Sequence, residues 1–168
     1  DFIGIDWYAP LTDWRDGALH ADAALGEAIT DTAVLQAGIE GGEDYDWYYA
    51  SDADRSDQVR SDIADGAYGK PWIWRAKDVR GWWSQPHVNR VGGVETGPTD
   101  WVPGMKPVRF TELGCPAVDK GSNQPNVFYD PRSSESALPR FSSGVRDDLF
   151  KRRLLAAFHV FWCAPLCN

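Results

Sequence analysis

The chain has 168 residues, with 17 Lys and Arg against 25 Asp and Glu and a net charge of −8. This length allows one domain with a core of its own, but falls short of the roughly 200 residues or more of an ordinary eight-fold (β/α) barrel. The acidic balance argues against nucleic acid as a partner, because phosphate binding needs clustered cations and only Lys151, Arg152 and Arg153 stand together.

Residues 2–8 form a short, mostly apolar run that ends at Ala9 and Pro10, and predict a buried strand followed by a loop. Asp6 stands near the C-terminal end of that strand. Residues 20–39 place Leu25, Ile29, Ala33 and Leu35 at rough helical spacing; Thr30 or Asp31 suits a cap for the second half, and Gly41 and Gly42 stop it. Residues 43–49 are too polar at their start for a central strand and read as a helix or turn, leading into a polar helix over 52–60. Residues 63–69 read as a turn. Pro71, Trp72, Ile73 and Trp74 fit either a short strand or the lead-in to a helix over 76–83, and both readings stay open.

Residues 84–104, with Pro86, Gly92, Gly93, Gly97, Pro98 and Pro103, predict a long loop. Residues 106–114 give the second strand, with Pro107 at its beginning because proline donates no ladder hydrogen bond. Residues 115–143 predict another long polar loop, a length usually tied to function or disorder. Residues 145–162 predict an amphipathic helix with an apolar stripe of Val145, Leu149, Leu155, Ala156, His159 and Trp162. Strands alternating with helices favour a parallel α/β arrangement. The strand-like start and the stop soon after an apolar helix read as cut ends of a larger fold.

The sharpest chemical signal is Glu112, in Phe-Thr-Glu-Leu-Gly at residues 110–114, where a buried strand opens into a loop. Strand C-termini carry the catalytic groups of (β/α) barrels, and glycoside hydrolysis needs two such carboxylates. The plainer alternative is a glutamate hydrogen-bonded to a neighbouring strand end. Asp6 suits holding Glu112 or a sugar hydroxyl, or equally capping its own loop. The nine Trp and six Tyr suit both cores and sugar-binding clefts. Trp7 and Tyr8, at a strand end, are cleft candidates, as are Trp82 and Trp83 among the cluster with Trp72 and Trp74. His87 in the first long loop is a candidate for facing substrate, with a surface role as its plainer alternative; His20 and His159 read as structural. Glu43, Asp44 and Asp46 offer oxygens for Ca²⁺ but lack a complete loop pattern, so a solvated acidic turn is preferred. Cys115, Cys163 and Cys167 give no disulfide framework and no zinc pairing, and Cys115 has no neighbouring His to activate it. They read as isolated thiols. No signal peptide and no apolar run long enough to cross a membrane is visible in these residues.

Several longer motifs carry a family resemblance. Residues 2–15, residues 41–50, and residues 69–72 with 77–84 each resemble signatures of the TIM-barrel-like domain of gene transfer agent host-specificity proteins. Residues 110–121, 124–128 and 133–136 are similar to its most distinctive stretch. The resemblance covers nearly the whole chain, to about Trp162. It implies a glycoside-hydrolase-like barrel within a tail-tip or baseplate hub protein of a phage-like particle. In related retaining hydrolases the nucleophile is a glutamate ending strand seven, which Glu112 matches; the first strand here is then strand six, and the general acid, which ends strand four, precedes Asp1. Residues 163–168 depart from the pattern by not continuing toward an eighth strand.

The expected fold is therefore α/β: the C-terminal portion of a (β/α)8 TIM barrel, about strands six to seven with their helices, forming one incomplete domain over 1–168. The expected site has Glu112 as the catalytic carboxylate and Asp6, Trp7, Tyr8, Trp82, Trp83 and His87 around substrate, with the loops over 84–104 and 115–143 shaping the cleft. No cofactor and no metal is expected. The expected partners are a cell-envelope polysaccharide or peptidoglycan glycan and other tail or baseplate proteins, with assembly in the cytoplasm and residence in the particle tail. The alternative is a non-catalytic structural, receptor-binding or glycan-binding module of the tail tip.

Overall fold

The computed structural model describes residues 1–163. Cys167 lies outside the described residues. Two predicted strands form as β1 (Ile3–Trp7) and β6 (Val108–Leu113), and they pair in parallel. About 100 residues separate them in sequence, so they meet through a crossover rather than a hairpin, as a parallel pair requires. Between them lie α1 (Thr32–Ala37), β2 (Trp47–Tyr48), α2 (Asp52–Asp57), β3 (Ser61–Asp62), α3 (Val79–Ser84), β4 (Val88–Val91) and β5 (Val94–Pro98). The helix α4 (Asp148–Cys163) follows β6. The architecture is mixed α/β with a two-stranded parallel sheet, and these strands do not close a barrel among the described residues.

One face of the sheet is apolar and covered. Ile5 and Trp7 from β1, with Val108, Phe110 and Leu113 from β6, pack with α1 and α4 through Leu35, Ile39, Phe150, Leu154, Ala157 and Phe158. The last helix buries a different stripe from the one expected. Phe150, Leu154, Ala157 and Phe158 are buried, spaced i, i+4, i+7, i+8, while Val145, Leu149 and Leu155 are exposed. The helix carries apolar residues on both sides, so its period alone does not say which side faces inward. Asp147 begins it by accepting from the backbone N–H of Phe150 at 2.8 Å.

The predicted helix over 20–39 is broken. A 3-10 turn covers Ala21–Leu25, and α1 starts only at Thr32. The junction is Gly26, in extended backbone, where a Cβ would stand 2.5 Å from the Val34 side chain. Asp31 does sit at the start of α1, but its carboxylate accepts from the N–H groups of Glu27 and Ala28, both at 3.0 Å, and so closes the preceding turn. Gly38, rather than Gly41 and Gly42, ends α1; a Cβ there would meet the Leu11 carbonyl oxygen at 1.9 Å, so only glycine lets the β1 loop pass.

Residues 43–49 form a turn in which the Gly42 carbonyl accepts from Tyr45, Asp46 and Trp47. That turn enters the two-residue antiparallel ladder of β2 with β3. Pro71–Ile73 is a 3-10 turn that leads to α3, which starts at Val79 rather than Ala76. The loop expected over 84–104 contains the β4–β5 hairpin. Its turn is Gly92 and Gly93, at φ of 59° and 80°, the two positive values that a tight type I′ connection needs. The segment 115–143 does remain irregular apart from a 3-10 turn at Gly121–Asn123.

Lys77 is 0 % exposed and ties three segments together. Its Nζ donates to the carbonyls of Pro10 and Gly38, both at 2.6 Å, joining the chain before α3 to the loop after β1 and the end of α1. Burial pushes its pKa down to about 8, opposed by the nearby Asp44, Glu43 and Asp46 carboxylates.

The outer edges of β1 and β6 have no strand partner among the described residues. Unpaired edges template association. The isolated polypeptide of residues 1–168 is therefore expected to self-associate at micromolar concentration, read by sedimentation. A monomer with a sharp cooperative melt contradicts this.

Candidate functional site

The register of the parallel pair contains the detail that builds the site. Ile3, Gly4 and Ile5 face Val108, Arg109 and Phe110, but Asp6 faces Glu112 and Trp7 faces Leu113. Thr111 is the extra residue of a bulge. Side chains along a strand alternate between faces, and one additional residue reverses the alternation beyond it. Regular alternation would turn Glu112 toward the helices and Leu113 away. With the bulge, Leu113 packs on the core while Thr111 and Glu112 are both exposed on the uncovered face, which also carries Gly4 and Asp6.

The bulge is held by side chains. The Thr111 hydroxyl donates to Asp6 Oδ1 at 2.6 Å, and the Tyr8 phenol donates to Glu112 Oε2 at 2.9 Å. Three of the expected residues, Asp6, Tyr8 and Glu112, thus meet at the C-terminal ends of two adjacent parallel strands. The hydrogen bond to Glu112 pushes the Tyr8 pKa above its ordinary value, with desolvation and the charges of Glu112 and Asp6 acting in the same direction. Tyr8 therefore stays an O–H donor across the neutral range.

Tyr8 borders two cavities. One, of about 740 Å³, opens over Asp6, Tyr8, Asp44, Tyr48, Asn126 and Arg140. The other, of about 620 Å³, lies under residues 113–118 and the segment with Pro125, Phe128, Tyr129 and Pro131. Both fall within the usual size of small-molecule pockets. Glu112 is in neither lining and reaches them through Tyr8. Trp7 borders the first cavity but is 4 % exposed, and its ring stands edge-on to Phe158 at 4.6 Å, so it serves mainly as a core residue.

The remaining expected residues lie at the opposite end of the strands. The Trp83 indole N–H donates to the carbonyl of Lys106, just before β6 begins. At about 3.3 Å per residue, that point is roughly 20 Å from Glu112. Trp82 and His87 form an aromatic cluster with Trp101, His87 stacking on Trp101 at 5.1 Å and facing the Trp82 carbonyl at 2.7 Å. The ends of the segment 84–104 therefore pack near the strand beginnings, while its hairpin holds Asp65 and Lys70 through Arg90 and Glu95; of the two long segments, 115–143 walls the space beside Glu112.

That second segment is pinned from both sides. Asn123 Oδ1 accepts from the Thr12 hydroxyl and the Trp14 N–H, while its Nδ2 donates to the Trp14 and Arg140 carbonyls. All four of its bonding directions are used. Further along, Asp119 accepts from Ser142, Ser143 and Val145, closing the segment onto the start of the last helix. Burial works against the Asp119 charge, yet the Ser143 N–H, the Lys120 ammonium and the two hydroxyls hold its pKa well below the carboxylate range.

The acidic residues of 43–46 do not converge. Glu43 is buried and paired with Arg55, and Asp46 accepts from the Gly42 N–H at 2.8 Å. Among the described residues no group of three or more His, Cys, Asp and Glu is placed to hold a metal ion. Asp44 is half-buried beside the larger cavity; burial raises its pKa, as does Glu43, against the opposing charges of Lys77, Arg55 and Arg140. Burial pushes the Cys115 thiol up to about 12, which leaves it protonated and poorly nucleophilic. Sequence reasoning missed Tyr48, Asn126 and Arg140 as cavity residues. Only the dense Tyr and Trp run at 45–49 hinted at the first of them.

Residues 1–168 match the family model described as the GTA TIM-barrel-like domain. Among curated proteins and solved structures, none matches the chain. No helix among the described residues is long and apolar enough to cross a membrane.

Proposed function

Since this chain belongs to the GTA TIM-barrel-like domain family, we propose that it is a wedge of a glycoside-hydrolase-like barrel that acts on a cell-envelope glycan from a gene transfer agent particle. The observation that carries the reading is the Tyr8–Glu112 contact at 2.9 Å beside Asp6, on the uncovered face of two parallel strands. A barrel presents its reactive carboxylates in that position, at strand C-termini and facing inward. In this reading Gly4, Asp6, Thr111 and Glu112 face the lumen, and the helices α1 and α4 belong to the outer ring. Glu112 is the nucleophile or charge stabiliser at the anomeric carbon. Tyr8 orients it by occupying one carboxylate oxygen, leaving the other free. The proton-donating carboxyl belongs to a barrel strand preceding these two. The domain then sits in the particle tail, against other tail or baseplate proteins, and its glycan is a polysaccharide or peptidoglycan strand.

A second reading rests on a specific observation: Glu112 is exposed and outside the lining of both cavities that Tyr8 borders. In that reading the fold retains a glycan-binding cleft without turnover and serves as a receptor-binding module. The test uses the full-length protein that carries this domain, with glycan release from isolated envelopes measured for the native form and for Glu112→Gln. Release by the native form alone supports the hydrolase. Equal release by both removes Glu112 from the chemistry. Retained binding with no release from either favours the second reading.

A further inference from the structure

The cavity over Asp6 and Tyr8 shares two wall residues with a neighbouring space. Asp44 and Tyr48 line it and also line a third cavity of about 360 Å³, completed by Asp62, Ile63, Ala64 and Trp74. Tyr8 in turn is shared with the cavity under Phe128 and Tyr129. Three spaces of about 620, 740 and 360 Å³ thus share walls in succession, first Tyr8 and then Asp44 and Tyr48. We infer that these are successive subsites of one groove that takes a linear glycan chain, with Tyr48 and Trp74 as stacking platforms at the end remote from Glu112. This rests on the reading of the ligand as a glycan strand and adds that the strand is gripped over several units, with the aromatic grip at one named end.

The chemistry of the lining favours such an occupant. Tyr48 is 44 % exposed and Trp74 is 58 % exposed, both large rings with a face left open. The Trp74 indole N–H donates to Asp65 at 2.7 Å, and Asp65 is itself clamped by Arg90, so the ring is held at the groove and not left to rotate. Fixed aromatic faces with a polar edge suit the apolar faces of sugar rings. The middle space adds carboxyl, amide and guanidinium groups, Asp44, Asn126 and Arg140, which suit ring hydroxyls and acidic substituents. Along the same path Arg55, Arg140, Arg146 and Lys151 alternate with Asp6, Glu43, Asp44, Asp62 and Asp148, so a nucleic acid would find no continuous basic track. At the end of the groove beside Tyr48, the two-residue β2–β3 ladder is too short an edge for a polypeptide docking by strand addition.

The test is calorimetric titration of the full-length protein with a disaccharide, a tetrasaccharide and a hexasaccharide of peptidoglycan strands. Affinity is expected to rise with each step, by about tenfold from disaccharide to hexasaccharide. Trp74→Ala is expected to lower hexasaccharide affinity about tenfold and disaccharide affinity far less. Trp74→Phe, which keeps a ring, restores most of the loss and controls for misfolding. Affinity independent of length, or a hexasaccharide affinity unchanged in Trp74→Ala, overturns the groove. Length-dependent binding without glycan release leaves the groove standing and removes only the hydrolytic role of Glu112. Binding of no peptidoglycan oligomer at any length overturns the groove as a peptidoglycan site, while glycan release from whole envelopes tests the glycan reading separately.

Discussion

Glu112→Gln in the full-length protein is expected to reduce glycan release by on the order of a thousandfold or more, the usual cost of losing a nucleophile or its charge. The exchange keeps the shape of the side chain and its acceptor for the Tyr8 hydroxyl, so the contact at 2.9 Å has a neutral counterpart. Because Glu112 is exposed, the substitution should leave the thermal midpoint nearly unchanged, within about 0.5 kcal/mol. Loss of release with an intact melt assigns the effect to the carboxylate. Tyr8→Phe is expected to fall between native and Glu112→Gln, at about tenfold to a hundredfold, since it removes one hydrogen bond to a charged group. Release measured by reducing ends decides both; a Glu112→Gln protein as active as the native one removes the carboxylate from the mechanism.

The largest effect on stability is expected at a residue distant in role from that chemistry. Lys77→Ala should destabilise the fold by about 4 kcal/mol, because it leaves a void and strips the Pro10 and Gly38 carbonyls of their donor. The denaturant midpoint reports it. The pH dependence gives an independent sign. Lys77 has a folded pKa of about 8, below the roughly 10.4 of an unfolded lysine. Between those values the unfolded chain binds more of this proton than the folded chain, so the contribution of Lys77 to stability rises with pH across that window and is smallest below it. Lys77→Met keeps most of the volume and lacks the titration. Subtracting its stability curve from the native one should leave a positive slope between about pH 8 and 10. A flat difference shows that the ammonium is not held as described.

How far the sequence foretold this arrangement depends on the scale of the feature. Both strands of the parallel pair are legible, because their apolar runs are bounded by Pro10 and Pro107. Their pairing follows from α/β alternation. The β4–β5 hairpin is not read from the sequence, because the surrounding prolines and glycines mark a loop and mask the adjacent glycines between Val91 and Val94 as a hairpin turn. The bulge at Thr111 has no local signature, since it arises where two strands remote in sequence adjust their register. It nevertheless decides which way Glu112 points. The inward side of α4 is hidden for a related reason: Leu149 and Leu155 are as apolar as Leu154, and only the shape of the sheet beneath selects among them. Trp82, Trp83 and His87 look like cleft residues by composition, yet α3 and the chain just after it set them near the strand beginnings, away from Glu112. Nothing in the local sequence marks Lys77 for burial, which arises only when α1 and the β1 loop close over it.

The fully bonded Asn123 and the Asp119 clasp have a consequence for any molecule that lodges under Phe128 and Tyr129. Freezing a free backbone costs about 1–2 kcal/mol per residue. Here much of that cost is met when the chain folds, before a ligand arrives. Contact there competes with little residual motion of the wall, so even modest contacts translate into residence, and the shape of the hollow selects among ligands instead of adapting to each.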